Sequence, residues 1–483
     1  MGIDRSLLKY AAYHHSRGIQ LKRITISVFF ILIFSLTAIA QLSEDVAGKI
    51  DKAAADALAR TGVPSASVAI VKDGKIAYLK AYGDAQLQPR RPADPKMRYS
   101  IGSISKQFTA AALLMLQEQG KVSLDDHVDK YIPGLTRANE VTIRQLLSHT
   151  SGYQDYWPQD YVMPNMLKPV TAQQIMDTWA KKPLDFDPGT KWQYSNTNYV
   201  IAGAIAEKVA GIPLWQFLEQ RVFKPLGMRS AYDIDRAKLE TPDATGYIRF
   251  ALGPLHQAPD IGPGWLFAAG EIAMTAEDLA KWDISIIDQK VLKPSSYTQM
   301  STDTLLKNGL STRYGLGVFL ASNNGRRVLS HGGEVSGFTA ENTVFPDDRT
   351  AIVVLTNQDA AGASDVITGA IIPLLFASSD AATPAKTEQA RKIFDGLQKG
   401  TIDRSLFTDN ANFYFSETAL KDFASSLAPF GTPQTFSQVS QSLRGGMTLR
   451  VYIARFANGK ALRIWTFELS DGHLEQYQIA PAA

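Results

Sequence analysis

Residues 103–119 (SISKQFTAAALLMLQEQ) are apolar nearly all the way round a helix and stop before Gly120. A helix without a polar face has to be wrapped by other elements on every side, so the chain must build a large body around this one. Strand patterns lie at both ends of that body. The segments 66–71 and 76–82 flank Asp73-Gly74, a strong hairpin signal, and further strands are predicted at 327–330, 343–346 and 351–356. Residues 43–60 predict a helix capped by Ser43. Between the strand clusters lie helices and Pro/Gly-rich loops such as 153–169 and 253–263. Early and late strands with helices between them predict an α/β (α+β) body whose sheet is closed by both ends of the segment.

Two further pieces flank this body. Residues 377–385 (ASSDAATPA) read as a linker, followed by a helix near 387–400 and strands at 448–456, 461–469 and 473–479. Asn458-Gly459 and Asp471-Gly472 separate those strands, which predicts a small α+β domain over 386–483. At the other end, Lys22-Arg23 precede the apolar run 24–36, and Ala38-Ile39-Ala40 stands before Gln41, the pattern of a signal peptide over 1–40. The apolar run is shorter than the roughly 20 residues of a membrane span, which favours cleavage over an uncleaved anchor. Either reading puts the body, 41–376, in the periplasm or outside the cell.

The net charge of +3 is concentrated in that leader, where five basic residues face one acid, leaving 45 basic and 46 acidic residues for the rest. A near-neutral body has no electrostatic reason to bind nucleic acid, nor a membrane beyond the export segment. The absence of cysteine excludes disulfides, thiolate zinc sites and a Cys nucleophile. His127, His149, His256 and His473 show no ligand-pair spacing, and no glycine-rich phosphate loop follows a predicted strand. No metal and no cofactor are expected.

Three short motifs carry candidate chemistry. Ser103-Ile104-Ser105-Lys106 places a lysine one turn after a serine on one helix face, near helix N–H groups that favour a developing oxyanion. Such a motif is weak alone, since Ser6-Leu7-Leu8-Lys9 also fits. Tyr194-Ser195-Asn196 is the one Y-x-N among eighteen tyrosines and follows the turn Asp187-Pro188-Gly189. A tyrosine acts as a base only where a neighbouring cation such as Lys106 favours phenolate. His331-Gly332-Gly333 follows the strand 327–330, and its glycines allow a ligand close to the backbone.

In this order, on helix, loop and strand, the three motifs resemble the serine hydrolases of the class C β-lactamase, DD-peptidase and esterase superfamily, where H-x-G can replace K-T-G. Segments 141–153 (VTIRQLLSHTSGY), 186–196 (FDPGTKWQYSN), 225–228 (PLGM), 269–282 (AGEIAMTAEDLAKW), 331–338 (HGGEVSGF) and 351–357 (AIVVLTN) extend the likeness over roughly 55–376. The resemblance implies a β-lactamase/transpeptidase-like antiparallel sheet flanked by helices. It also implies acyl transfer to Ser103, with Lys106 and Tyr194 as the proton-transfer pair. Asn196 would bind substrate or Lys106, and His331 would line the pocket and orient Tyr194 or the substrate. The N–H groups of Ser103 and of Glu334, just past Gly333, would form the oxyanion hole, with Tyr153 and Tyr156 in the pocket wall. Gly332 lacks the hydroxyl with which K-T-G enzymes bind a substrate carboxylate. The expected partner is therefore a small ester, amide or peptide without a recognised carboxylate, ahead of β-lactamase or D-Ala-D-Ala carboxypeptidase activity. A penicillin-recognising scaffold with vestigial chemistry is the reading from another class.

Overall fold

The computed structural model describes residues 41–159, 161–376 and 382–482. The expected signal peptide and most of the expected linker, 377–381, lie outside the described residues. The first described helix is α1 (Glu44–Thr61), whose Ser43 cap accepts from the Val46 amide and whose last turn closes on Gly62. Strands β1 (Ser65–Lys72) and β2 (Lys75–Gln86) follow, joined through Asp73 and Gly74, both at positive φ as a tight hairpin turn of this kind requires. The short β3 (Arg91–Pro92) precedes the buried helix α2 (Ser105–Glu118). Helices α3 (Asn196–Ala210) and α4 (Ala276–Asp288) lead to four late strands, β4 (Phe319–Asn323), β5 (Arg326–Val335), β6 (Phe338–Phe345) and β7 (Thr350–Thr356). Helix α5 (Ala363–Leu375) ends this part.

The main sheet runs β3-β2-β1-β7-β6-β5-β4 and is antiparallel throughout, so early and late strands meet at β1 and β7. Both faces are covered, and the two-residue strand period sorts side chains between two cores. Ala69 and Val71 of β1 join α2 residues such as Phe108 and Leu113 in the larger core. Val68 and Ile70 join Ile50 and Leu58 of α1 and Ile367 and Ile371 of α5 in the other. Helix α2 is buried from Ser105 to Leu116, as an all-round apolar pattern demands.

One strand departs from expectation at a place that matters. The strand predicted over 327–330 continues through His331, Gly332 and Gly333 to Val335, held in register by β6, with His331 opposite Asn342 and Gly333 opposite Ala340. Pairing overrides the poor strand propensity of two glycines.

The C-terminal residues hold helices α6 (Thr383–Leu397) and α7 (Glu417–Leu427) and a second antiparallel sheet, β8 (Thr435–Arg444), β9 (Met447–Arg455), β10 (Ala461–Glu468) and β11 (Leu474–Pro481), in that order. Helix α6 starts within the expected linker, because Pro384 is tolerated in a first helical turn. β8 was not expected: it is an exposed edge strand of Ser and Gln residues with almost no buried face to produce a pattern. A separate cluster that includes Phe394, Tyr452 and Tyr477 forms the core of this region. Among the described residues, no helix is long and apolar enough to cross a membrane.

Candidate active site

Two glycines, one on each side, allow strand β5 to press against the start of α2. Gly102 opens the 3-10 turn Gly102–Ile104 at φ +49°, and a Cβ there would stand 2.7 Å from the Glu334 amide nitrogen. A Cβ on Gly333 would stand 1.9 Å from the Ile101 carbonyl oxygen and 3.3 Å from the Ser103 nitrogen. The backbone of Ser103 is thereby held beside that of Gly333 and Glu334.

Lys106 stands one turn after Ser103 and is fully buried. Its ammonium has three donors and meets three acceptors, Ser103 Oγ at 2.9 Å, Asn196 Oδ1 at 2.8 Å and the Ala269 carbonyl at 2.8 Å. Burial pushes its pKa down from 10.5 to about 7, against an opposing pull from the Asp155 carboxylate. Asp155 in turn fixes Asn196: its Oδ1 accepts from the Asn196 amide nitrogen at 2.9 Å and its Oδ2 from Asn196 Nδ2 at 3.3 Å, which leaves Asn196 Oδ1 aimed at Lys106. Burial raises the Asp155 carboxyl, and the amides of Trp157 and Asn196 and the Lys106 charge oppose that.

Tyr194 stands beside Ser103 in the cleft, and its ring lies 5.0 Å from Lys106 Nζ. Here the electrostatics run opposite to expectation. Burial raises the phenol well above 10, with a smaller contribution from Asp155, and the neighbouring Ser103 hydroxyl only partly offsets it. Tyr194 is therefore a neutral hydroxyl and Lys106 the group poised to lose a proton near neutrality. His331 is neutral too, driven down to about 3 by burial first and by Lys106 second. Its Nδ1 donates to the Gly332 carbonyl at 2.6 Å, so Nε2 accepts from the Tyr314 hydroxyl at 3.0 Å. Both ring nitrogens are thus engaged away from Tyr194, which His331 meets only through its ring, 6.2 Å between centroids.

This arrangement of serine, buried lysine, tyrosine and a histidine-glycine strand can be compared with known proteins. The chain matches the Beta-lactamase family over residues 50–372. It belongs to that family. Similar proteins include a D-aminopeptidase of Brucella anthropi, 30% identical over 63% of this chain and 58% of its own length. A penicillin-binding protein of Bacillus subtilis is 28% identical over 61% of this chain and 68% of its own. A D-stereospecific amidohydrolase from Streptomyces superposes with a TM-score of 0.59 at 30% identity, covering 68% of this chain and 98% of that one. The chain is a serine hydrolase with the β-lactamase/transpeptidase fold.

In this β-lactamase family member, a cleft of about 770 Å³ is lined by Ser103, Tyr194, Asn196, His331, Gly333 and Glu334. Tyr156 also lines it, and its hydroxyl is bound to the Trp265 carbonyl. Tyr153 does not reach the cleft. Its hydroxyl turns the other way to donate to the Thr136 carbonyl at 3.0 Å, so it forms no part of the wall. Among the described residues, no cluster of three His, Asp or Glu side chains is arranged to hold a metal ion.

Three supporting residues were not singled out from the sequence as site residues. Asp155 lies in a loop without a motif. Tyr314 reaches His331 across 17 residues. His149, at φ +58°, packs its ring 4.3 Å from that of Tyr194. Its Nδ1 accepts from the Ser195 amide at 3.2 Å, while burial and Lys106 hold the ring neutral. A signal for it existed in the segment 141–153, where His149 precedes the Ser151-Gly152 turn.

Proposed function

We propose that this serine hydrolase cleaves amides or activated esters through an acyl-enzyme on Ser103. One observation carries the assignment: Lys106 is buried, lowered to about 7 and bound to Ser103 Oγ at 2.9 Å. As the free amine, Lys106 keeps two N–H bonds, to Asn196 Oδ1 and the Ala269 carbonyl, and directs its lone pair at the Ser103 hydroxyl. Ser103 Oγ attacks the carbonyl carbon while Lys106 takes the proton. The carbonyl oxygen, now an oxyanion, is held by the N–H groups of Ser103 and Glu334. The proton reaches the leaving nitrogen or oxygen through the neutral Tyr194 hydroxyl, and water then releases the acyl group by the reverse route.

Support for an amide substrate comes from the relatives, a D-aminopeptidase and a D-stereospecific amidohydrolase. Support against a carboxylate-bearing substrate comes from charge. Asp155, Glu334, Glu341, Asp359 and Asp365 line the cleft, whereas no Lys or Arg does so among the described residues. β-Lactamase or DD-carboxypeptidase activity ranks second for that reason, and a vestigial scaffold third. The test is the intact mass of the protein with penicillin and, separately, its turnover of an activated neutral ester, each repeated in Ser103→Ala. Ester turnover that disappears in Ser103→Ala supports the assignment, and turnover that survives refutes it. A lasting penicillin adduct, or hydrolysed drug, would restore the second reading. Export of the protein is a further inference from residues 1–40, and N-terminal sequencing of the mature chain checks it.

A further inference from the structure

The adjacent glycines of β5 face opposite sides of the sheet. Gly333 faces Ser103, whereas a Cβ on Gly332 would point to its cross-strand partner Glu341, 3.4 Å from Oε2. With no side chain at Gly332, the cleft that holds Ser103 continues over the strand to Glu341 and to Asp365 in the first turn of α5. Both carboxylates also line an adjoining recess of about 260 Å³. No Lys, Arg or His lines that recess among the described residues. Thr368, one turn along α5 from Asp365, lines it as well. It is 5% exposed, and its hydroxyl has no hydrogen-bond partner. Buried polar oxygens are normally satisfied, so an orphaned hydroxyl beside two carboxylates marks a place where a donor is missing.

We propose that this recess is a substrate subsite for a primary ammonium group, accepted by Glu341, Asp365 and the Thr368 hydroxyl. Three acceptors match the three N–H donors of an ammonium. The Glu341 carboxyl is pushed up to about 7, by burial first and by Asp365 second, with only the Thr343 hydroxyl at 3.0 Å against it. A bound cation relieves that cost and holds the carboxylate ionised. The inference rests on the Ser103 acyl-enzyme reading and adds the charge of the substrate to it.

The experiment compares kcat/KM for matched activated esters whose chains end in an ammonium, a hydroxyl or a carboxylate. A range of chain lengths is used, with the charge placed on the acyl or on the leaving side. The ammonium ester is expected to exceed the neutral one by about tenfold, as for a charge-assisted hydrogen bond, and the carboxylate ester by more. In Glu341→Gln with Asp365→Asn the ammonium-to-neutral ratio falls toward one, and in Thr368→Val it falls part of the way. The ratio is the readout, so a general loss of folded enzyme cancels. Turnover without preference for the ammonium, or a ratio unchanged in the double variant, overturns the subsite alone. Failure to turn over any ester overturns the Ser103 reading and the subsite with it.

Discussion

The close packing of β5 on the Ser103 turn makes the two glycines of His331-Gly332-Gly333 unequal, and a matched pair of alanine substitutions tests this. In Gly333→Ala the new Cβ would sit 1.9 Å from the Ile101 carbonyl oxygen. An ordinary carbon–oxygen contact is about 3.3 Å or more, so strand and turn must part by roughly 1.4 Å. Displacements of about 1 Å in a reacting geometry cost on the order of 10²-fold, and loss of one oxyanion donor costs about 10²–10³. The kcat/KM of Gly333→Ala for a neutral activated ester is therefore expected to fall by about 10²–10³. In Gly332→Ala the nearest atom, Glu341 Oε2, stands at 3.4 Å, an ordinary contact, and the backbone is not at positive φ. Its kcat/KM on the same ester is expected within about threefold of wild type. The assay is ester hydrolysis followed by absorbance, with thermal melts to verify that both variants are folded. A Gly333→Ala enzyme keeping more than about a tenth of its activity refutes the packing argument. So does a Gly332→Ala enzyme that falls as far.

Other measurements probe the buried charges. With the free amine of Lys106 as the proposed base and its pKa lowered to about 7, kcat/KM for a neutral ester should rise with pH through that value and then level. A flat profile over about pH 6–8 contradicts Lys106 as the base. Asp283 is fully buried, bound through Oδ1 by Asn342 Nδ2 at 2.7 Å, and pushed by burial to about 8. The folded state keeps this proton after the unfolded chain has released it, so stability falls as pH rises from 3.8 to about 8. Asp283→Asn needs no such proton, and the Tm difference, variant minus wild type, should grow across that window and level above it. An unvarying difference places the ionised carboxylate in the fold. In Tyr314→Phe the acceptor Nε2 of His331 loses its donor inside the protein, which costs about 1–3 kcal/mol of stability. Chemical denaturation at neutral pH measures that loss, and an unchanged midpoint would show that water takes the place of the hydroxyl.

What could be read in advance was local or periodic. Asp73-Gly74 sets its hairpin through two positive φ values, and Ser103 and Lys106 meet because one helical turn separates them. The supports of the site obey no such rule. Asp155 reaches Asn196 across 41 residues and His149 reaches Ser195 across 46, contacts that exist only once the loops have been wrapped around α2. Which member of the Lys106–Tyr194 pair is the base stayed open for the same reason. A cation beside a phenol lowers its pKa, and the sequence places the cation without revealing how far the surrounding loops bury the ring.

Burial also ties the opening feature of the sequence to the chemistry. Residues Ser105 to Leu116 of α2 are buried all round, and Lys106 is the one basic residue among them. A helix with a polar face would leave that lysine in water, with an ammonium near its ordinary value of 10.5 and no free amine for Ser103 near neutral pH. Because the remaining faces of α2 are mostly apolar, the lysine enters the core with the helix, where the opposing charge that favours its ammonium is Asp155, held beyond the amide of Asn196. The apolar pattern that forces a large body around one helix is therefore also the cause of a lysine able to act as a base. A polar substitution on the buried face of α2 should act on catalysis through water entry at Lys106 as well as through lost packing. Restored solvation would raise the lysine, moving the acidic limb of the pH profile upward, whereas packing loss alone would lower the rate and leave the limb in place.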